Sequence, residues 1–73
     1  MDEKALKELM IARSDEFKRL HEEHKKQEER LRAFEAKGTL SESETIEEKE
    51  IKKRKLALKD RMYQMMTEFR KSL

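Results

Sequence analysis

Apolar residues recur at steps of three and four along most of the chain, which is the spacing of one face of an α-helix. In the first half this stripe consists of Phe17, Leu20, His24, Gln27, Leu31 and Phe34. In the second half it consists of Ile51, Lys55, Leu58, Met62, Met65 and Phe69. Both stripes resemble the heptad spacing of helices that pack side by side. The pattern therefore predicts an all-α fold built on two long helices.

The two stripes are separated by residues 37–42, where the helical spacing stops. Gly38 can take the left-handed conformation that commonly ends a helix. Ser41 is followed three residues later by Glu44, which is the spacing of a capping box, and Thr45 begins an equivalent spacing. We expect a turn here, with the second long helix starting between Ser41 and Thr45.

A weaker break lies at Ser14 and Asp15, either of which can cap a new helix. Nothing at this position forbids a continuous helix, but because of these possible caps we expect a kink or a loose turn. The predicted elements are a short helix over 3–12, a long helix over 15–36 and a long helix over 43–71, within a single domain of residues 1–73.

A short turn makes consecutive helices antiparallel, so the two stripes should face each other. Folding about Gly38 pairs Leu31 with Ile51, Gln27 with Lys55, His24 with Leu58, Leu20 with Met62, and Phe17 with Met65. Gln27 and Lys55 fall in one layer, and a polar layer can fix the alignment of two helices at some cost in stability. The predicted hairpin core is Phe17, Leu20, His24, Leu31, Phe34, Ile51, Leu58, Met62, Met65 and Phe69.

A second apolar stripe flanks the first on the last helix and consists of Leu56, Tyr63, Met66 and Leu73. One partner helix cannot cover both stripes, which leaves the second available to another chain. Composition points the same way, because 49% of the residues are charged and only 34% are hydrophobic, so the core is small. We therefore expect a homo-oligomer or a complex with another protein. Two hairpins would form a four-helix bundle.

Two stretches carry a resemblance to a known family. Phe17, Leu20, His24, Gln27–Glu28 and Leu31 stand where the YdcH family of small bacterial proteins has Phe, Leu, His, Leu-Asp and Ile. Residues 52–60, KKRKLALKD, match the family's Lys-Lys-x-Lys-Leu-x-Leu-Lys-Asp signature without a gap. The chain resembles this family over about residues 5–66.

What the resemblance implies is a helical hairpin without an assigned activity, since the family's domain has none. The chain departs from the family pattern at two places. Gln27–Glu28 replaces Leu-Asp, which weakens the apolar core in that layer, and no proline stands near residue 15.

Charge and cysteine content exclude several classes of protein. The net charge is +2 from 19 basic and 17 acidic residues, so no global field favours nucleic acid or a membrane. The absence of cysteine excludes a disulfide framework, a thiolate zinc site and a thiol nucleophile. The longest apolar run, residues 9–12, is too short for a membrane span or a signal peptide core. A cytoplasmic protein is the expectation.

The basic run over residues 49–61 is the main candidate for binding an anion. Its possible anionic contacts are Lys49, Lys52, Lys53, Arg54 and Lys59. Against this reading, Glu48 with Lys52 and Glu50 with Arg54 have the spacing of ion pairs along one helix. No aromatic residues are interleaved to stack on bases. A solvated face, or ion pairing within the bundle, is therefore favoured over a surface that binds an anionic partner.

His21 and His24 form the other candidate site. Their spacing of three excludes the zincin motif, and the last helix has no histidine for a di-iron site. His24 lies on the core stripe, so we interpret it as a half-buried histidine that is hydrogen-bonded to a carboxylate or a carbonyl, and its titration could make stability depend on pH. The methionines Met62, Met65 and Met66 are interpreted as core rather than as an adaptable binding surface.

No cleft, phosphate-binding loop or nucleophile–base pair is recognisable in the sequence, so no enzyme activity, metal or cofactor is predicted. The favoured interpretation is a small interaction or adaptor protein acting through a coiled-coil face. The alternative is a nucleic-acid-associated protein that uses the basic face of residues 49–61.

Overall fold

The last two helices contact each other along most of their length, and the first lies across one end of both. The computed structural model describes residues 2–73, which form three α-helices and no strand. The helices are α1 (Glu3–Arg13), α2 (Asp15–Lys37) and α3 (Glu42–Lys71). Each differs from its predicted range by one residue at one end. The prediction of an all-α fold is confirmed.

A single residue, Ser14, separates α1 from α2. Its backbone is extended (φ −122°, ψ 115°), and its Oγ accepts a hydrogen bond from the Phe17 N–H at 3.1 Å. The Ser14 N–H in turn donates to the Met10 carbonyl at 2.8 Å. One serine therefore ends the first helix and caps the second, which is why the break forms without a proline.

Gly38 ends α2 in a conformation that differs from the one predicted. Its φ is positive, at 78°, but its ψ is −56°, outside the left-handed helical region. The Thr39 N–H donates to the Lys37 carbonyl at 2.9 Å, so the three residues form a γ-turn of the positive-φ type. A Cβ at this position would meet no atom within 4 Å, so glycine is required by the backbone angle and not by space.

The start of α3 is the capping box that the sequence predicts at Ser41. The Glu44 N–H donates to the Ser41 Oγ, and the Ser41 N–H donates to the Glu44 carboxylate, both at 3.2 Å. The hydrogen bond from Lys37, followed by that from the Ser41 backbone, lowers the pKa of the Glu44 carboxyl below its ordinary value. Thr45, the other candidate cap, lies inside α3 and donates its hydroxyl to the Ser41 carbonyl.

The largest apolar cluster lies at the end furthest from the turn, where all three helices meet. It consists of Leu6, Met10, Phe17, Met62 and Met66. Leu6 and Phe17 have no exposed surface (0%). Ile11, Leu20, Met65 and Phe69 are partly buried against this cluster.

Met66 corrects one sequence-based assignment. It was predicted on the face left for another chain and was also interpreted, with the other methionines of α3, as core; it is buried, with 4% of its surface exposed, so the first assignment is wrong. The reason is that α1 places Leu6 and Met10 in the same cluster. The first helix therefore covers part of the second stripe within the chain.

Between this cluster and the turn, α2 and α3 meet without a third helix. The buried residues here are Gln27, Leu31, Ile51 and Leu58, while His24 and Phe34 are half-buried. Gln27 Oε1 is shielded from solvent and has no hydrogen-bond partner among residues 2–73. The Lys55 ammonium, which was predicted to lie in the same layer as Gln27, pairs with the adjacent residue Glu28 at 3.4 Å.

Candidate interaction surface

The large apolar side chains that remain exposed lie on or next to α3. They are Ile46, Leu56, Tyr63 and Leu73, with 61%, 60%, 66% and 71% of their surface exposed. Leu56 and Tyr63 are seven residues apart, which is two helical turns, so they lie on one side of the helix. We call the side of α3 that carries these two residues the Leu56–Tyr63 face.

One edge of the contact between α2 and α3 is closed by ion pairs and is called here the paired edge. The pairs are Glu16 with Arg61, Glu23 with Arg54, and Arg30 with Glu47. Arg61 Nη2 lies 3.1 Å from Glu16, and Arg54 Nε donates to Glu23 at 2.7 Å. Successive pairs step up by seven residues on α2 and down by seven on α3, as flanking charges do along a helix pair.

The opposite edge, called here the open edge, carries the Lys55–Glu28 pair and, beside it, a groove. The groove has a volume of about 400 Å³ and is lined by Leu31, Lys52, Lys55, Leu56 and Lys59. One α2 side chain and four α3 side chains therefore form a strip with an apolar floor and basic walls. Leu56 belongs to both this groove and the Leu56–Tyr63 face.

Beyond the groove, the open edge continues into a pocket of about 250 Å³ where all three helices contribute. It is lined by Glu3, Lys7, His21, His24, Glu28, Lys59, Met62, Tyr63 and Met66. Among residues 2–73 the structure contains no cluster of three or more side chains arranged to hold a metal ion. Because Glu3 and Lys7 of α1 line it, the pocket extends the open edge towards α1.

His24 is a half-buried titratable group of this pocket. Its Nε2 is shielded from solvent and forms no hydrogen bond within the described part of the chain, unlike the hydrogen-bonded imidazole predicted from the sequence. Burial is the main cause that lowers the pKa of His24 below its ordinary value of 6.5, and Lys55, Lys59 and His21 lower it further. Glu28 acts in the opposite direction. Burial therefore favours the neutral form of the imidazole.

The five basic residues considered as anionic contacts fall into two groups. Lys52 pairs with Glu48 at 3.6 Å, and Arg54 pairs with Glu23 on α2 rather than with Glu50 on its own helix. Lys49, Lys53 and Lys59 form no ion pair among residues 2–73 and are exposed. Arg54 therefore belongs to the paired edge and Lys52 is engaged with Glu48, whereas Lys49, Lys53 and Lys59 remain available.

The structure places three of the four predicted partner-face residues at the surface: Leu56, Tyr63 and Leu73. Sequence reasoning missed Ile46 as an exposed residue, and it missed Leu6 and Met10 as core. The signal for the latter two was their spacing of four residues, which places them on one side of a short helix.

These features define a small all-helical protein with a basic, partly apolar helix face at its surface. The chain belongs to the family described as "Protein of unknown function (DUF465)", whose model matches residues 17–66. The YdcH family belongs to it, so the resemblance seen in the sequence is confirmed. No curated protein and no solved structure matches the chain. In residues 2–73, no helix has both the length and the apolar character that crossing a membrane requires.

Proposed function

We propose that the chain is an antiparallel helical hairpin closed at one end by α1, and that it acts as a small interaction or adaptor protein. The paired edge supports the antiparallel arrangement, because the residue numbers of successive partners increase along α2 and decrease along α3. Helices joined by a short turn normally adopt this arrangement.

The observation that carries the interaction role is the exposure of Leu56 (60%) and Tyr63 (66%) on one side of α3. Anchors at positions i and i+7 are those that a helix presents to another helix. Tyrosine suits an interface in particular, since its ring buries apolar surface while its hydroxyl stays hydrated. A helix from another chain, or from a second copy, would complete a helical bundle along this face.

The proposed activity is binding without catalysis, and it involves no metal or cofactor. We keep the cytoplasm as the proposed location, as the sequence suggests. Substrate turnover by the purified protein would contradict this assignment.

A nucleic-acid role is the second candidate, and the three exposed lysines without ion pairs favour it. Lys49, Lys53 and Lys59 could each contact a phosphate. Tyr63 is the one aromatic residue on the Leu56–Tyr63 face, however, whereas proteins that bind single strands stack several bases. Arg54, which would strengthen such a site, is engaged with Glu23.

Site-specific photo-crosslinking in the native cell tests these alternatives. A photoreactive phenylalanine derivative would replace Leu56 or Tyr63, and Ala33, exposed on α2, would be the control position. We expect protein adducts from positions 56 and 63 and none from position 33. Equal adducts from all three positions, or none from any, would contradict the interaction role. Adducts that disappear after nuclease treatment would favour nucleic acid.

A further inference from the structure

The charges around the Leu56–Tyr63 face are unbalanced. Within about 60° of Leu56 around the helix axis, the stretch from 49 to 70 carries five basic residues and one acid. The basic residues are Lys49, Lys52, Lys53, Lys59 and Arg70, and the acid is Asp60; all six are exposed. The chain as a whole has a net charge of only +2, so positive charge is concentrated on this face.

This concentration disfavours a second copy as the occupant. In a two-fold antiparallel pair with Leu56 against Tyr63, Lys59 of each copy would face Asp60 of the other, which is favourable. Lys49 would then face Arg70, and the two basic faces would repel each other overall. A parallel pair would set each lysine against itself. Like charges brought together in an interface are costly, so the face is better suited to a partner of opposite charge.

The open edge provides a binding position for such a partner. Lys52 and Lys59 are seven residues apart, and both line the groove beside Leu56. Lys59 forms no ion pair among residues 2–73, and Lys52 has an exposed pair with Glu48 at 3.6 Å, with which a partner carboxylate would compete. A helix lying on Leu56 and Tyr63 would bring its own flanking positions next to these two lysines, as flanking residues meet in paired helices. Glutamates at those positions would form two ion pairs at the rim of a contact that is apolar at its centre.

We infer that the partner is an acidic amphipathic helix of another protein, seated on the Leu56–Tyr63 face with its carboxylates beside Lys52 and Lys59. The inference rests on the proposed interaction role and names the chemistry of the occupant. The contacts are electrostatic at the rim, so they set selectivity and the rate of association more than total affinity.

Two synthetic helical probes test this directly on the purified full-length protein. Each is a fluorescein-labelled peptide of three heptads with leucine on one stripe; one carries glutamate at the flanking positions and the other carries lysine. In fluorescence anisotropy at low salt we expect the glutamate probe to bind roughly tenfold more tightly, and the difference to shrink as salt is raised.

Matched variants locate the binding site. The double charge reversal K52E/K59E should abolish or invert the preference, so that the lysine probe binds at least as well. The control K18E/K25E makes the same change in charge at two exposed α2 positions, also seven residues apart. It should leave the preference intact. Circular dichroism of each variant shows whether the helices are retained.

The remaining outcomes separate this inference from the proposed function. Equal binding of both probes, or an equal effect of the two double variants, would overturn the acidic partner. If neither probe binds and the protein is instead a dimer that L56A/Y63A converts to a monomer, the occupant is a second copy and only the further inference is wrong. If neither probe binds but a fluorescein-labelled single-stranded oligonucleotide does, both proposals are wrong.

Discussion

At the end furthest from the turn, three helices meet around Phe17, whereas nearer the turn α2 and α3 meet alone. Leu6 and Phe17 are fully buried (0%) in the three-helix part, while Leu31 and Leu58 keep 8% and 9% of their surface exposed in the two-helix part. Each helix carries a narrow apolar stripe, so a pair of helices leaves its core open at both edges. A third helix closes one of them.

The two parts also differ in how they treat polar groups. The three-helix cluster is wholly apolar, whereas the two-helix part buries Gln27 with its Oε1 unpartnered. Ion pairs along the paired edge join α2 and α3 there, but such exposed pairs typically contribute only about 0 to 1 kcal/mol each. The comparison indicates that apolar burial at the α1 end supplies the larger share of stability.

The strongest test of this difference is Phe17→Ala. Removing a fully buried phenylalanine should lower the free energy of unfolding by about 3 to 5 kcal/mol, through lost burial and the cavity that remains. Urea denaturation followed by circular dichroism measures it. Phe34→Ala is the matched change in the two-helix part, where the ring is half-buried, and should cost clearly less. Equal costs at the two positions would remove the distinction.

Leu58→Ala probes the buried α3 position of the two-helix part that lies next to the three-helix cluster. We expect a loss of about 2 to 4 kcal/mol, as for other buried leucines. Leu56→Ala, two residues away at a 60% exposed position, should change stability by less than about 0.5 kcal/mol. A loss below about 0.5 kcal/mol for Leu58→Ala would show that Leu58 is not a core residue.

Gln27→Leu should strengthen the two-helix part. The change removes a buried carbonyl oxygen that has no hydrogen-bond partner, and leaving such a group unsatisfied costs about 1 to 3 kcal/mol. We expect a gain of about 1 kcal/mol in the free energy of unfolding, because leucine also fits the volume less perfectly. Gln64→Leu, at an exposed α3 position, is the control and should give little change. A loss at position 27 would indicate that Gln27 is satisfied.

The smallest expected effect is a pH dependence centred on His24. Its pKa in the folded chain is lowered from 6.5, mainly by burial, so the unfolded chain binds more protons in this range. The free energy of unfolding should therefore fall as the pH drops below about 6.5. His24→Gln cannot titrate and should lack this component. Identical stability profiles for the two proteins from pH 8 to pH 5 would show that His24 is not a pH-sensitive element.

Local signals explain most of what the sequence could predict. The capping box of Ser41 and Glu44 lies within four consecutive residues, and so does the capping interaction of Ser14 with Phe17. The stripes of α2 and α3 are long enough for their period to be read directly. These features depend on residues that are close in the sequence, so they can be recognised before the fold is known.

The placement of α1 was not predictable in the same way. Its 11 residues bury only Leu6 and Met10, and a single extended serine does not dictate the direction in which the preceding helix lies. Met66 was therefore assigned to a partner chain, although α1 covers it. Arg54 was misassigned for a related reason, since Glu50 and Glu23 both lie within reach and the rotation of α3 decides between them.

Native-state hydrogen exchange by NMR tests most directly whether α1 closes the hairpin. We expect the amides of Met62 and Met66 to exchange more slowly than those of Ile46 and Lys49, since the three-helix part should open last. The Met10 amide should also be protected well beyond the rate of an unstructured peptide. Exchange of Met10 at the unstructured rate, with no difference between the two ends of α3, would contradict the account.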